Sequence, residues 1–498
     1  MTAPFAFPGG FLLTSLAHSA GRRGVGIASV WCLVTLLGCL PAGGQPARPF
    51  PQHTVYAPGT VLPDHRTQSQ LDGDVRAAYD RWKADYLVQA GTEPDGHPRY
   101  RVVCDVLEAG DTVSEGQGYG MVIVALMAGH DADARTVFDG LWEFFDDHRS
   151  EIDPRLMDWH VPADEAAEPG GDDSAFDGDA DIALALLLAD RQWGRDGRID
   201  YLAEARDVLA GVWESEIGPE SHLPLLGDWV DPAGGDYNEW TNRSSDLLVA
   251  HFRTFARATG NAGWYDVAEA ALTAIESLQD GCAPATGLLP DFFVASAGDP
   301  TPQPAPAYFL EGPHDGHYYY NAGRAPWRLA TDALLGGDCR SAAAALKMTQ
   351  WVASAAGGDP QAIAAGYTLD GSAIGDYFTS FFAAPLGVAA MSDPDLHVWL
   401  DAIYDAVRDS EEGYYEDTVA LLCLIAMSGN YWDPWPEPDG SGDLNGDGRI
   451  DAGDLCQLAR CLAGPDTSDP GGCARCHLDG DSDTDAADLA LLQALANH

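Results

Sequence analysis

Basic residues are scarce in this chain, and lysine is almost absent. The 498 residues include 27 Lys or Arg against 77 Asp or Glu, a formal net charge of −50 at pH 7, and the only lysines are Lys83 and Lys347. Such a surface repels the phosphates of nucleic acids and the head groups of anionic lipids, which argues against both as partners. It would attract a polycation, but a general adaptation to salty surroundings explains it equally well. Charge alone therefore does not identify a ligand.

Long apolar runs are also missing. The mostly apolar stretch Val25–Leu40 is too short for a comfortable membrane span, and it lies between Arg22-Arg23 and small residues, the pattern of an export signal. Leu36-Leu37-Gly38-Cys39 resembles a lipoprotein cleavage box, so a lipid anchor on Cys39 is an alternative. The sequence predicts a signal peptide over 1–44, a Pro-, Gln- and Thr-rich linker over 45–70, and a secreted or cell-surface protein.

Cysteine is infrequent, at 10 of 498 residues. Cys456, Cys461, Cys473 and Cys476 cluster near the C-terminus, directly before His477. Their spacing is not that of two C-x2-C zinc pairs, and an exported chain meets oxidising conditions, so disulfides are favoured over zinc. Pairing cannot be read from spacing. The other cysteines beyond the signal are predicted to be core residues or disulfide partners: Cys104, Cys282, Cys339 and Cys423.

The region 71–432 shows helical periodicity almost throughout. Apolar residues recur at i, i+3, i+4 and i+7 in many of twelve candidate helices. These are 71–89, 116–129, 133–147, 179–193, 199–213, 243–259, 262–279, 325–335, 338–355, 376–391, 395–408 and 415–429. Long loops rich in Gly, Pro, Asp and aromatics separate some of them, namely 150–178, 218–242 and 283–324. This alternation of short and long connections fits a double ring of paired helices with a cleft on the long-loop face.

A single acid stands among glycines at the start of one candidate helix. Thr112–Met121 reads Thr-Val-Ser-Glu-Gly-Gln-Gly-Tyr-Gly-Met and continues into an apolar run. The glycines allow the backbone to approach a ligand closely. A carboxyl partly buried at the mouth of a helix has a raised pKa and suits a proton donor. The alternative is that Glu115 only stabilises a helix N-terminus, where acids are favoured.

A second acidic motif follows about sixty residues later. Asp177-Gly-Asp-Ala-Asp-Ile-Ala-Leu-Ala-Leu-Leu-Leu-Ala-Asp leads to Trp193. Together with the Glu115 motif, it closely resembles glycoside hydrolase family 8, over roughly residues 71–432. The resemblance implies an all-α fold, an (α/α)6 barrel, and hydrolysis with inversion. It also implies that Glu115 is the general acid, and that Asp177 contacts the sugar at the scission subsite, although N-capping is an alternative role for Asp177.

The residue that takes a proton from water departs from the cellulase branch of that family. Where that branch has an aspartate, this chain has Asn321, and an amide cannot act as a base. The chain here resembles the branch with chitosanases and lichenases from bacilli, in which a glutamate of the preceding loop takes over. The matching residue is Glu311, in Phe-Leu-Glu, and the rival base is Asp315 in the same loop.

Further residues in or beside the cleft loops are expected to bind sugar, because flat pyranose faces pack on aromatic rings. Trp159 is the strongest candidate, since it lies between the acid and the Asp177 segment. The resemblance places Arg324 near the base, whereas Arg243 fits a surface ion pair equally well. The complete set of predicted substrate-binding residues is Tyr119, Trp159, Asp179, Arg324, Trp327 and Tyr367, and Trp240 lies beside the same cleft.

The C-terminus contains two calcium-type loops after a Pro/Gly linker at 433–442. Oxygen side chains at positions 1, 3, 5, 9 and 12 of an EF-hand-like loop suit a hard Ca²⁺ ion. The predicted ligands are Asp443, Asn445, Asp447, Asp451 and Asp454 in the first loop, and Asp479, Asp481, Asp485 and Asp488 in the second. His477 stands at position 1 of the second loop, which weakens that site. The module 443–498 resembles a type I dockerin, which implies a cohesin-bearing scaffold or surface protein as partner.

These observations predict a secreted endo-acting hydrolase of β-1,4-glucan or mixed-linkage β-glucan, with polysaccharide as its substrate and no catalytic cofactor. Chitosanase and xylan-acting activities of the same family are alternatives. A non-catalytic glycan-binding protein is another, because the cellulase-type base is replaced. Asp172-Asp173-x-x-x-Asp177 is also similar to the Mg²⁺–diphosphate sites of prenyl-processing enzymes, but no basic cluster accompanies it.

Overall fold

The computed structural model describes residues 45–104, 109–165, 171–436, 441–462, 473–480 and 483–496. The predicted signal peptide over 1–44, with Cys39, lies outside these ranges, and so does Asp481. Within these ranges, no helix combines the length and the apolar character that crossing a membrane requires.

The described residues form fourteen α-helices. They are α1 (Gln68–Tyr86), α2 (Ser114–Leu126), α3 (Ala134–Asp147), α4 (Phe176–Trp193), α5 (Tyr201–Ser215), α6 (Val249–Thr259), α7 (Gly263–Gly281), α8 (Ala325–Gly336), α9 (Cys339–Ala355), α10 (Ser380–Ala390), α11 (His397–Val407), α12 (Tyr414–Met427), α13 (Ala452–Cys461) and α14 (Ala486–Leu495). All twelve helices predicted between 71 and 432 are present. The largest difference is at α6, which begins six residues later than predicted, because Ser244–Asp246 form a short 3₁₀ helix after a strand.

The first twelve helices form two concentric rings. The even-numbered helices α2 to α12 each contact the next, and α12 contacts α2, which closes an inner ring. These helices are buried nearly all round, as in the run Met121–Leu126. Each odd-numbered helix packs outside an inner one and buries mainly one face. This arrangement confirms the predicted (α/α)6 barrel.

Long loops enter the N-terminal ends of most inner helices, and short turns leave their C-terminal ends. Seven short strands tie these loops together. They are β1 (Leu87–Thr92), β2 (Pro98–Val102), β3 (Thr112–Val113), β4 (His160–Val161), β5 (Thr241–Arg243), β6 (Phe292–Ser296) and β7 (Asp299–Pro304). All pairings are antiparallel: β1 with β2, β3 with β4, and β5–β6–β7 as a three-stranded sheet. The pairs fix the loops over one end of the barrel.

The residues before α1 lie across the other end of the barrel. Backbone amides of this segment donate to carbonyls at the C-terminal ends of five inner helices: Ala47 to Gln192, Phe50 to Ala128, Thr54 to Gly429, Ala57 to Leu334 and Val61 to Met391, at 2.6–2.9 Å. Helix C-termini leave such carbonyls without intrahelical partners. Part of the segment 45–70, predicted as a linker, is therefore packed against the barrel.

The C-terminal module has a small core of its own, formed around Leu444, Leu458 and Leu492. Disulfides join Cys461 to Cys473 within the module and Cys339 of α9 to Cys456 of α13. Disulfides rather than zinc therefore account for three of the four clustered cysteines.

Candidate active site

Glu115 lies in the first turn of α2, at the loop-covered end of the barrel. Its side chain is 18% exposed. Burial raises the pKa of Glu115 to about 8; the positive charge of Arg324 opposes this rise, and the negative charge of Asp177 adds to it. A carboxyl with this pKa is mostly protonated at neutral pH, as a general acid requires.

Glycines bring Glu115 close to Asp177, because they let α2 and α4 cross with almost no side chain between them. A Cβ at Gly178 would lie 2.3 Å from Ser114 Oγ, and one at Gly118 would lie 2.9 Å from Asp181 Cβ. Neither distance is tolerable, so both positions require glycine. The two acidic motifs of the sequence therefore meet at the N-termini of adjacent inner helices.

Arg324 joins these two acids from a buried position before α8. It is 1% exposed. Its Nη1 donates to Glu115 Oε2 at 2.7 Å and to Asp177 Oδ2 at 2.9 Å. Its Nη2 donates to Ser245 Oγ at 2.8 Å and to Asn321 Oδ1 at 3.0 Å. The predicted arginine near the base is thus also the partner of the acid.

Arg243, which the sequence left between a site role and a surface role, is largely buried in the site. Its guanidinium lies 3.7 Å from Asp177 Oδ1, 3.4 Å from Asp246 Oδ2 and 3.4 Å from Glu311 Oε1. Burial would raise the pKa of Asp177, but Arg243 and Arg324 outweigh it, and the pKa of Asp177 is lowered. The pKa values of these two neighbouring acids are therefore shifted in opposite directions, that of Asp177 downward and that of Glu115 upward.

Glu311 lies in the loop between β7 and α8, and its side chain is 50% exposed. Oε2 accepts a hydrogen bond from Asn321 Nδ2 at 2.8 Å, and Oε1 faces Arg243. A half-exposed carboxylate oriented by an amide and a guanidinium can hold a water molecule and take a proton from it.

Asp315, the rival base, has a different environment. It is 3% exposed. Its two oxygens accept hydrogen bonds from the backbone amides of Leu310, Glu311 and Gly312 at 2.8–3.1 Å. Asp315 therefore holds the loop that carries Glu311, and its oxygens face the backbone and not the cleft.

Glu115 and Glu311 line the same cleft, whose volume is about 780 Å³. Its wall also contains Asp177 and Trp159, as predicted, together with Trp229, Tyr237, Tyr320, Tyr414 and Tyr415, which the sequence reading did not single out. Trp229 lies in the loop 218–242, which the sequence predicts to border the cleft. Of the tryptophans in that loop, the prediction includes only Trp240. The cleft is large and aromatic enough for several sugar units.

Five of the six predicted sugar-binding residues lie under the cleft surface. They are each at most 4% exposed and do not line the cleft: Tyr119, Trp327, Tyr367, Asp179 and Arg324. The Tyr119 hydroxyl accepts from Arg324 and Arg328, and the Tyr367 hydroxyl accepts from the amide of Ala364. The structure corrects these predictions, because side chains buried in this way support the wall and cannot stack on a ligand.

Asp179 instead belongs to a buried acidic pair behind Asp177. Its Oδ1 accepts from the Met157 amide at 2.9 Å, and Glu216 Oε1 accepts from Ser174 Oγ at 2.6 Å. The other oxygen of each carboxyl has no hydrogen-bond partner among the described residues. Burial raises the pKa of both Asp179 and Glu216 well above the usual range; the negative charge of Asp228 adds to the rise for Asp179, and that of Asp179 adds to the rise for Glu216.

The two loops of the C-terminal module have the donor set of a calcium site. In the first loop, the amides of Asp447 and Gly448 wrap around the Asp443 carboxylate at 3.0 and 2.8 Å. In the second, carboxylate oxygens of Asp483, Asp485 and Asp488 lie within 4.8 Å of one another. Asp483 was not among the predicted ligands. Oxygen atoms gathered in this way fit a hard divalent cation.

Comparison with known families agrees with both parts of the chain. The family model "Glycosyl hydrolases family 8" matches residues 65–429. The chain belongs to glycosyl hydrolase family 8. This family 8 protein is a glycoside hydrolase, and it carries a dockerin type I domain, which matches residues 441–495.

Individual relatives cover most of the family 8 chain. A β-glucanase from Niallia circulans is 42% identical over 407 residues, which are 80% of this chain and 95% of that protein. Endoglucanase A from Acetivibrio thermocellus is 31% identical over 468 residues, covering 89% of this chain and 90% of that one. A solved structure, the β-1,3-1,4-glucanase from Paenibacillus sp. X4, matches with a TM-score of 0.74 and 42% identity, over 78% of this chain and 100% of that chain.

Proposed function

We propose that this family 8 enzyme is a secreted, inverting endo-glucanase that cleaves β-1,4-glucan or mixed-linkage β-glucan, with Glu115 as general acid and Glu311 as general base. The observation that carries the proposal is the presence in one cleft of two glutamates in different surroundings: Glu115, whose pKa burial raises to about 8, and the half-exposed Glu311. The β-glucanase and endoglucanase relatives support glucan as the substrate.

The reaction follows from the different surroundings of the two glutamates. Glu115 gives its proton to the glycosidic oxygen as the bond from that oxygen to the anomeric carbon breaks. Water attacks the opposite face of the same carbon, and its proton passes to Glu311. Attack from the opposite face inverts the anomeric configuration, and inverting sites hold their carboxyls roughly 6.5–9.5 Å apart to leave room for water.

Asp177 and its arginines complete the proposed machinery. The Asp177 carboxylate stays charged between Arg243 and Arg324 and lines the cleft next to Glu115. It can accept hydrogen bonds from sugar hydroxyls and stabilise positive charge that develops on the ring in the transition state. Trp159 and Trp229 line the same cleft and offer flat surfaces for sugar units.

The test uses two isosteric variants and one panel of polysaccharides. Glu115→Gln and Glu311→Gln are each expected to lower kcat at least 1,000-fold on soluble mixed-linkage β-glucan while oligosaccharide binding is retained. Proton NMR of the first product should show the α-anomer. Loss of activity in Asp315→Asn with full activity in Glu311→Gln would assign the base to Asp315 instead. Binding without any release of reducing sugar would support the non-catalytic alternative.

A specific observation favours chitosan as a second candidate substrate. Asp173 lines the cleft beside Trp159. Burial raises the pKa of Asp173, and the negative charges of Asp228 and Asp172 add to this rise. A cationic glucosamine unit would relieve the repulsion. Comparing chitosan, xylan and β-glucan at equal concentration decides between them, and xylan is the third choice.

The C-terminal module has a separate proposed role. The dockerin domain supports Ca²⁺ binding in its two loops and attachment to a cohesin-bearing scaffold or cell-surface protein. Secretion fits such a partner and the disulfides of the module. Calorimetric titration of the chain with Ca²⁺ and with a cohesin module tests both statements.

A further inference from the structure

One buried arginine connects the barrel to the first calcium loop. Arg253 on α6 is 3% exposed. Its Nη2 donates to Asp338 Oδ2 at 3.0 Å, and its Nε lies 3.5 Å from Asp332 Oδ1. Its Nη1 donates to the backbone carbonyl of Asn445, the residue at position 3 of the loop. A guanidinium fixed by two barrel carboxylates therefore holds the loop directly.

The side chain of Asn445 is shared between the loop and the barrel. The residue is 3% exposed. Its Nδ2 donates to Asp447 Oδ2 at 3.0 Å within the loop and lies 3.4 Å from Asp338 Oδ2 on the barrel. Its Oδ1 accepts from the Asp447 amide at 3.1 Å. The side chain that holds the loop together at this point therefore also contacts the barrel.

Covalent and steric contacts extend this interface to α13. The Cys339–Cys456 disulfide joins the start of α9 to α13, with the Cα atoms 6.6 Å apart. Gly337, in the turn between α8 and α9, has φ +80°, and an added Cβ would lie 2.3 Å from Gln457 Oε1. The α8–α9 turn and α13 are therefore in direct contact.

The far side of the loop also packs on the barrel. An added Cβ at Gly448 would lie 2.5 Å from the ring of Tyr265 on α7. Arg257 on α6 donates to the Trp435 carbonyl and binds Asp433 Oδ2 at 2.7 Å, which holds the residues that lead into the module. The start of the predicted linker at 433–442 is therefore bound to the barrel.

We infer that the first calcium loop is part of the packing of the catalytic barrel, so that Ca²⁺ bound in this loop stabilises the barrel. This inference rests on the proposed calcium binding. A ligand that binds only the folded loop stabilises every segment that unfolds together with it. The second loop, 34 residues later in the chain, is the matched reference, because Asp454 and Asp488 occupy equivalent positions. Asp454 accepts hydrogen bonds from the amides of Leu444, Asn445 and Asp451. Asp488 accepts them from the amides of Leu478, Asp479 and Asp485.

Tryptophan fluorescence reports the unfolding of the barrel and of the residues bound to it up to Trp435, and not that of the module, because residues 441–498 contain no Trp, Tyr or Phe. Thermal unfolding of the full chain is followed in Ca²⁺ and in EDTA with Mg²⁺. We expect Ca²⁺ to raise the midpoint temperature of the unfolding transition seen by fluorescence by at least about 2 °C. Asp454→Asn should abolish most of this shift, and Asp488→Asn should preserve it.

Calorimetric titration with Ca²⁺ separates the ways in which the inference can fail. Calcium binding with an unchanged fluorescence midpoint in the wild-type chain would show that module and barrel unfold independently, and would overturn it. Equal loss of the shift in Asp454→Asn and Asp488→Asn would overturn the assignment to the first loop. Absence of calcium binding would overturn the calcium proposal itself and leave the assignment of the catalytic glutamates untouched.

Discussion

Asn321 Nδ2 donates a hydrogen bond to Glu311 Oε2 at 2.8 Å, while Asn321 Oδ1 accepts one from Arg324 at 3.0 Å. An aspartate at this position could not do both, since a carboxylate has no donor. The asparagine that stands where the cellulase branch has its base therefore orients the glutamate that we propose as the base. It also connects that glutamate, through Arg324, to the acid.

Asn321→Asp is expected to lower kcat at least ten-fold. The change removes the donor to Glu311 and places a second negative charge beside it, which repels the Glu311 carboxylate from its position. Steady-state rates on β-glucan measure the effect. Asn261→Asp is the control, since Asn261 uses its Oδ1 as an acceptor for the Gly263 amide, which an aspartate can replace. An Asn321→Asp enzyme with wild-type kcat would contradict this role.

Arg243→Gln is expected to lower kcat ten-fold to 1,000-fold, because the positive charge beside Asp177 and Glu311 is lost. Arg243→Lys should recover part of the rate. Arg340→Gln, which breaks surface ion pairs with Glu269 and Glu276, should leave kcat unchanged. Equal rates for Arg243→Gln and Arg340→Gln would show that Arg243 has no part in catalysis.

The pH–rate profile should have an alkaline limb near pH 8. Glu115 must be protonated to act as the acid, and burial raises its pKa to about 8, so kcat/KM should fall as pH rises through that value. The charge of Asp177 contributes to the raised pKa. Asp177→Asn should therefore move the limb of the residual activity to lower pH. A limb that moves to higher pH would contradict the coupling.

Glu216→Gln should stabilise the fold increasingly as pH rises above about 4.5. Burial raises the pKa of Glu216, so the folded state retains a proton that the unfolded chain releases above the ordinary glutamate pKa of 4.5. The free energy of unfolding of the wild-type protein then falls by up to about 1.4 kcal/mol per pH unit, until the pH reaches the pKa of Glu216 in the folded state. Urea unfolding from pH 5 to 8 measures the difference.

The control for this effect is Glu214→Gln. Glu214 is close in sequence, but its side chain is 64% exposed. Its removal should give no gain that grows with pH. A Glu216→Gln chain that is equally destabilised at every pH would show that the carboxyl is needed for packing and not protonated in the fold.

Helix positions could be predicted well from the sequence, because apolar spacing records which segments are buried helices. The start of α6 could not, since Thr241–Arg243 pair with β6, a strand about fifty residues later in the chain. The Cys339–Cys456 disulfide, 117 residues apart, has no local signal either.

Within the site, the resemblance to family 8 predicted Glu115, Asp177 and Glu311 as site residues, and all three line the cleft. The sequence does not show which aromatic residues line the cleft and which lie in the core. The inner helices are buried all round, so the periodicity of apolar residues does not reveal which face of α2 or α8 meets the ligand. Sugar binding is predicted for Tyr119 and Trp327 from the sequence, whereas the structure places both side chains in the core. Trp229 reaches the cleft through loop packing that depends on distant strands.

The segment that crosses the closed end of the barrel bears on how fragments of this enzyme should be cut. A shortened version that began at residue 65, where the match to the family model starts, would lose Ala47, Phe50, Thr54, Ala57 and Val61. Five helix ends would then face water, and apolar surface would be laid bare opposite the catalytic groups. Fragments for crystallisation or assay should therefore retain the chain from residue 45 onward.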